Sequence, residues 1–286
     1  MGLKGFGGSA ACKSSAIRHA PEFQQRSDCR TVVMTNFAPP VPEDLKKIAL
    51  LLDVDGTIVD LAPTPREVFV PHSLRKTLER LWERTGGAIA FVSGRPISEL
   101  DLLFSPLRLP AIGGHGAEFR ITAGKAPEAP RLPPLDPNIK RQFAALSEAG
   151  PGIILEDKGY SLALHYRLAP EKEELVRAAA AKIAAGLDGA IELLPGKLVV
   201  EVKQRGLTKA TAVRELMTYP PFAGRHPIFI GDDVTDLGVF DIIPDLSGTG
   251  ASVGRIVPGI PCYFDEPSDV RHWLEQISRH RALAAS

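Results

Sequence analysis

Short runs of uninterrupted apolar residues alternate with stretches of helical spacing at both ends of the chain, and the middle follows another pattern. Ile48-Ala49-Leu50-Leu51-Leu52 is apolar at every position, as in a parallel strand buried on both faces. Leu74, Leu78, Leu81 and Trp82 recur at helical spacing and predict a helix over 73–85, with Ser73 as N-cap and Gly86-Gly87 as the stop. A second apolar run over 88–92 closes on Ser93-Gly94-Arg95-Pro96, and a third, Ala111-Ile112, leads into Gly113-Gly114-His115-Gly116. Strand, helix, strand at this spacing begins a right-handed parallel α/β unit.

Between about 121 and 204 the period changes. A proline-rich stretch over 125–137 reads as a loop, 138–149 as a helix, 161–167 as a strand with partial alternation, and 171–187 as an amphipathic helix. Two further strands, 191–194 and 197–203, flank a Pro195-Gly196 turn. An α+β block of roughly eighty residues is domain-sized. After Thr208 the α/β pattern resumes with a helix to 217, a strand over 227–230 and a last helix over 267–278. The expected division is a leader over 1–43, a core over 44–120 and 205–286, and an inserted domain over 121–204.

Composition narrows the classes. The chain has 286 residues, 34 basic against 34 acidic side chains, and 44% hydrophobic residues, enough to bury a sizeable core. A zero formal net charge argues against a nucleic-acid binder, which needs a basic excess. No apolar window is long enough for a spanning helix, so no membrane role is expected. Cys12, Cys29 and Cys262 are odd in number and lack metal-ligand spacing, which points to a reducing cytoplasm. The leader is Gly/Ser/Ala-rich without an apolar h-region. It reads as a disordered segment, with Met34 as an alternative start and a transit-like reading as the rival. The sequence does not fix the oligomeric state and is compatible with a monomer.

Four features lie just past apolar strands, where α/β folds place active sites. Asp53-Val54-Asp55-Gly56-Thr57 carries two carboxylates at i and i+2, which are too costly to bury unpaired. Converging on a magnesium ion, Asp53 can attack phosphorus while Asp55 serves as general acid and base. Alone, the segment also reads as an acidic Asx turn. Ser93 and Gly94 can bind phosphate oxygens through a hydroxyl and backbone N–H groups, or simply form a turn with a helix N-cap. Lys209, ahead of a helix, can stabilise a transferring phosphoryl group, or be solvated. Asp232, Asp233 and Asp236 crowd three carboxylates into one turn, a repulsion that a divalent cation removes.

The order DxDGT, SGR, Lys, GDDxTD resembles the haloacid dehalogenase-like phosphatase superfamily from about residue 45 onward. That resemblance implies a Rossmann-like α/β core with an inserted α+β cap. It implies Asp53 as nucleophile, Asp55 as acid/base, Ser93 and Lys209 on phosphate, and Asp232 completing a magnesium site with Asp233 and Asp236 close by. With Asp53, Asp55, Asp232 and Asp233 as the implied metal ligands, the implied cofactor is Mg2+. A narrower similarity, to trehalose-6-phosphate phosphatases, rests on Gly114-His115-Gly116-Ala117-Glu118, Leu162 to Arg167, Gly196-Lys197-Leu198-Val199-Val200-Glu201 and Gly231 to Asp236. It implies a small-molecule sugar phosphate as partner, held by His115, Glu118, Lys197 and Glu201. Read from the residues alone, Lys197 and Glu201 could equally be a cross-strand ion pair. Leu237 stands where the family has Glu, and Ala210 where it has Gly.

Three other readings remain open at this level. They are a sucrose-phosphate or mannosyl-phosphoglycerate type phosphatase, a phosphotransferase, and a non-catalytic sugar-phosphate-binding module.

Overall fold

The large sheet is organised around β1 (Ile48–Leu52), whose side chains divide strictly between two cores. Ile48, Leu50 and Leu52 enter one hydrophobic cluster, and Ala49 and Leu51 enter the other, on the opposite face. The structure, a computed structural model, describes residues 37–62, 67–128, 133–148, 150–196, 198–206 and 208–280. The leader expected to be disordered lies outside these residues up to position 36. Over 37–43 the expectation of a leader does not hold. Phe37 bridges Tyr263, Trp273 Nε1 donates to the Pro39 carbonyl at 2.8 Å, and Ala38 and Val41 pack on the core.

Seven strands form the large sheet. In chain order they are β1, β2 (Ile89–Val92), β3 (Ala111–Gly113), β4 (Glu118–Arg120), β9 (His226–Gly231), β10 (Thr249–Val253) and β11 (Cys262–Phe264), between which β5 to β8 form a second sheet. Their spatial order is β11-β10-β9-β1-β2-β3-β4. All neighbours are parallel except β3 and β4. Strand order reverses between β1 and β9, which leaves a crevice beyond their carboxyl ends. Asp53 follows β1 and Asp232 follows β9, so the switch point places both at that crevice.

On one face, α1 (His72–Arg84) packs with α2 (Ile97–Leu103) and α7 (Pro267–Arg279) through Leu74, Leu78, Leu81, Ile97, Leu100, Trp273 and Leu274. On the other lie α5 (Lys209–Leu216) and α6 (Leu237–Ile242), which bury Ala212, Val213, Leu216, Val239 and Phe240. Complete burial of a Leu or Phe side chain contributes about 1.5–3 kcal/mol, so truncating Leu51, which is fully buried, costs about 2–5 kcal/mol. Ser73 is not the N-cap of α1. Pro71 occupies that position without a side-chain cap, and Ser73 falls in the first turn.

The second sheet is antiparallel, in the order β5-β6-β8-β7. Its strands are β5 (Ile154–Asp157), β6 (Ser161–His165), β7 (Ile191–Gly196) and β8 (Val199–Gln204). Helices α3 (Pro137–Ser147) and α4 (Glu173–Ala185) cover one face through Phe143, Val176 and Ala180, against Leu162, Leu164, Val200 and Val202. The strand period of two turns His165 and Glu201 to the opposite face. The β7–β8 turn falls two residues later than Pro195-Gly196 predicts. Both of those residues pair in β7, and Leu198 in the turn has φ +59.

Candidate active site

Asp53 sits at the end of β1 with 4% of its surface exposed. Lys209 Nζ donates to its Oδ1 at 2.8 Å, and Thr57 Oγ1 donates to its Oδ2 at 3.0 Å. The lysine reaches this point because it opens α5 behind the N-cap Thr208, which forms a capping box with Thr211. The loop before β4 packs closely on that cap: a Cβ at Gly116 would lie 2.7 Å from the Thr208 carbonyl oxygen. Glycine is required there for a second reason, its φ of +107. Lys209 also donates to Asp236 Oδ1 at 2.8 Å, while Asp236 Oδ2 accepts the Asp233 N–H at 3.0 Å.

Carboxylates outnumber cations in this crevice. Asp53, Asp232 and Asp236 each place an oxygen within 4.8 Å of the others. Burial raises the Asp53 carboxyl above its usual range, and Lys209 pulls against that rise. Burial also raises Asp232, with Asp53, Asp236 and Asp233 adding to the effect, and Lys209 is raised by its two aspartate partners despite its burial. One ammonium among three close carboxylates leaves an excess of negative charge, and an all-oxygen donor set of this kind suits a hard divalent cation. The residues therefore fit a magnesium ion.

Two of the four expected metal ligands stand apart from this trio. Asp55 is gripped by Arg95, whose Nε donates to Oδ2 at 2.6 Å and whose Nη2 donates to Oδ1 at 2.7 Å. The Asp233 carboxylate turns onto the Val234 N–H at 2.7 Å and caps a 3-10 turn. Asp236, expected only close by, takes the third place.

Ser93 follows β2 and is 1% exposed, and its Oγ accepts the Arg95 N–H at 3.1 Å. At Gly94, a Cβ would collide with the His115 ring, so glycine allows the imidazole to close over the Ser93-Gly94 turn. His115 itself adopts a positive φ of 56 between two glycines that do the same. Its Nε2 lies against the Glu201 carboxylate of β8, joining the loop of the large sheet to the small one.

One cavity is lined by Asp53, Ser93, Arg95, His115, Glu201 and Lys209, among others. Glu156, Lys158 and His165 also line it, and sequence reasoning missed the first two. Lys158 Nζ donates to Glu201 Oε1 at 2.6 Å, and His165 Nε2 pairs with Glu156 Oε2 at 2.8 Å. Although burial opposes ionisation, His115 and Lys158 hold the Glu201 carboxyl well below the usual range. Glu156 is lowered too, because the His165 bond and Lys158 outweigh its burial. Lys158 is raised by Glu201 and Glu156 against its own desolvation.

Glu118 is not brought to the cavity. Its Oε2 accepts the Ile97 N–H at 2.6 Å, so it satisfies one of the unpaired donors at the start of α2. Lys197 lies outside the described residues. No helix among the described residues is long and apolar enough to cross a membrane.

Comparison with known proteins follows the same lines. The sequence model of the trehalose-phosphatase family matches residues 51–257. A protein of Sinorhizobium fredii named a probable trehalose-phosphate phosphatase is 40% identical over 82% of this chain and 88% of its own length. The trehalose-6-phosphate phosphatase of Escherichia coli is 36% identical over 86% of this chain and 92% of its own. Among solved structures, the C-terminal domain of the C. albicans trehalose-6-phosphate phosphatase superposes with a TM-score of 0.74 at 19% identity, over 85% of this chain and 98% of that domain. At that identity the superposition speaks for the fold alone. With the family match spanning most of the chain and an Asp-Lys centre at the switch point of a Rossmann-like sheet, the protein belongs to the trehalose-phosphatase family, with a haloacid dehalogenase-like fold.

Proposed function

We propose that the protein hydrolyses trehalose 6-phosphate to trehalose and phosphate, with magnesium, through an aspartyl-phosphate on Asp53. The observation that carries this reading is the pairing of Asp53 with Lys209 in a cavity that Glu201, Lys158 and Glu156 also line. In the first half-reaction an Asp53 oxygen attacks phosphorus, the bond from phosphorus to the sugar oxygen breaks, and Asp55 gives that oxygen a proton. In the second, water attacks the phosphoryl group, Asp55 takes its proton, and the Asp53 carboxylate is released. Lys209, the Ser93 hydroxyl and the backbone at Gly94 hold the transferring group. Asp53 and Asp232 would hold the magnesium ion, with Asp236 within reach, and the bound ion supplies charge neutralisation between nucleophile and phosphate.

Sugar hydroxyls need donors and acceptors together. Glu201, Lys158, Glu156 and His115 present both, with Glu201 held by Lys158 and His115 and Glu156 by His165, and a substrate that leaves them unmatched is penalised. Lys197 is assigned to the sugar on sequence alone. We assign residues 121–204 to a cap over a core of 44–120 and 205–286. The odd cysteine count supports a cytoplasmic location.

A panel of trehalose, sucrose and glucose 6-phosphates and mannosyl-phosphoglycerate, with phosphate release measured with and without magnesium, tests the reading. Magnesium-dependent release with trehalose 6-phosphate preferred is expected. A clear preference for another member of the panel would replace the substrate and leave the chemistry standing. Release unaffected by chelation would contradict the metal assignment.

A further inference from the structure

Arg95 and Asp55 form a two-point contact. The arginine's Nε donates to Oδ2 at 2.6 Å and its Nη2 to Oδ1 at 2.7 Å. A planar guanidinium fork of this kind fixes both the position and the plane of the carboxylate. The fork is itself anchored. Arg95 is 7% exposed, its Nη1 donates to Glu99 Oε2 at 3.2 Å, and its backbone N–H donates to Ser93 Oγ at 3.1 Å. Glu99 stands in the first turn of α2, so the chain of contacts runs from a helix through Arg95 to Asp55.

We propose that Arg95 is a positioning residue for the hydrolytic half-reaction, aiming Asp55 at the water that attacks the aspartyl-phosphate. This rests on the reading of Asp53 and Asp55 given above. In that step the water oxygen bonds to phosphorus, the bond from phosphorus to the Asp53 oxygen breaks, and the water proton passes to Asp55. The products are inorganic phosphate and a free Asp53 carboxylate. A carboxylate has about four lone-pair sites, so a fork that occupies two leaves others for the water proton. The fork presents Asp55 as an acceptor, which is what water activation requires. The first half-reaction makes no such demand when the leaving group departs as a stable anion. Arg95 and Asp55 both line the cavity, so the pair stands where the phosphoryl group is to be hydrolysed.

Rapid-quench kinetics with an activated aryl phosphate separate the two halves, using wild-type protein, Arg95→Met and Arg95→Lys. Arg95→Met is expected to release one equivalent of aryl alcohol at close to the wild-type burst rate. It should then turn over about 10²-fold more slowly, the usual cost of a misplaced catalytic group. Labelled phosphoenzyme should accumulate during that slow phase, and added guanidinium ion should restore turnover. Arg95→Lys keeps the charge without the fork and is expected to show the same burst with slowed turnover, which decides the matter if Arg95→Met does not fold. Burst and steady-state rates falling together, or a change confined to KM, would overturn the proposal and make Arg95 a scaffold or substrate ligand. No phosphoenzyme from wild-type protein or variants would instead overturn the aspartyl-phosphate reading, and the Arg95 role with it.

Discussion

Lys209 Nζ lies 2.8 Å from Asp53 Oδ1, and both side chains are almost wholly buried. The lysine sets the orientation of that carboxylate and is the only ammonium bonded to it among the described residues. It also holds Asp236, so it ties the strand end after β1 to the turn after β9.

Lys209→Met removes a buried cation and leaves two carboxylates without their partner. Breaking a buried pair in this way costs about 3–5 kcal/mol, and urea denaturation in magnesium-free buffer should register a loss in that range. Phosphatase activity should fall with it. An unchanged unfolding midpoint would mean that Asp53 and Asp236 do not depend on the lysine.

Gly56→Ala tests how closely the first acidic turn approaches the second. Gly56 has φ +79, and an added Cβ would run into the Asp232 carboxylate. The left-handed backbone alone costs about 1–2 kcal/mol for a residue with a side chain, and displacing Asp232 should also weaken magnesium binding. Calorimetric titration of the variant with magnesium would check this. Wild-type affinity would show that Asp232 can move without consequence.

Glu201→Gln bears on the sugar side of the cavity. It should raise KM for the sugar phosphate while sparing a small aryl phosphate. It should also change the dependence of stability on pH. The Glu201 carboxyl is held below its ordinary value of 4.5, so its contribution to stability is complete above that value and is lost as pH falls through the folded value. The stability gap between wild type and Glu201→Gln should therefore close on acidification below about 4.5. A gap that does not vary with pH would place Glu201 outside the ion-paired cluster.

The large sheet was legible because β1, β2 and β9 are apolar at nearly every position, a pattern that burial on both faces demands. The acidic residues behind β1 and β9 were legible for the complementary reason: carboxylates crowded directly after a buried strand are costly unless cations or N–H groups meet them. Other elements gave little signal. Helix α2 is short, β5 is largely exposed, and β10 and β11 carry Gly, Ser, Cys and Tyr rather than a branched apolar run.

The polar wall of the cavity was the hardest part to read. Lys158 looks like an ordinary turn lysine, and only the pairing of β5, β6 and β8 brings it to Glu201, 43 residues away in sequence. Arg95 was visible as part of a turn, but its contact with Asp55 joins positions 40 apart. Glu118 erred in the other direction. Its place beside His115 suggested a sugar ligand, whereas the unpaired N–H at the start of α2 takes its carboxylate.

The most direct test of the account is phosphate release from trehalose 6-phosphate by Asp53→Asn beside the wild type, in the presence of magnesium. The amide keeps the size of the side chain but removes the nucleophilic carboxylate, so the wild type should turn over and the variant should release no phosphate above background. Turnover by Asp53→Asn at a rate approaching that of the wild type would contradict the assignment of Asp53 as the residue that attacks phosphorus.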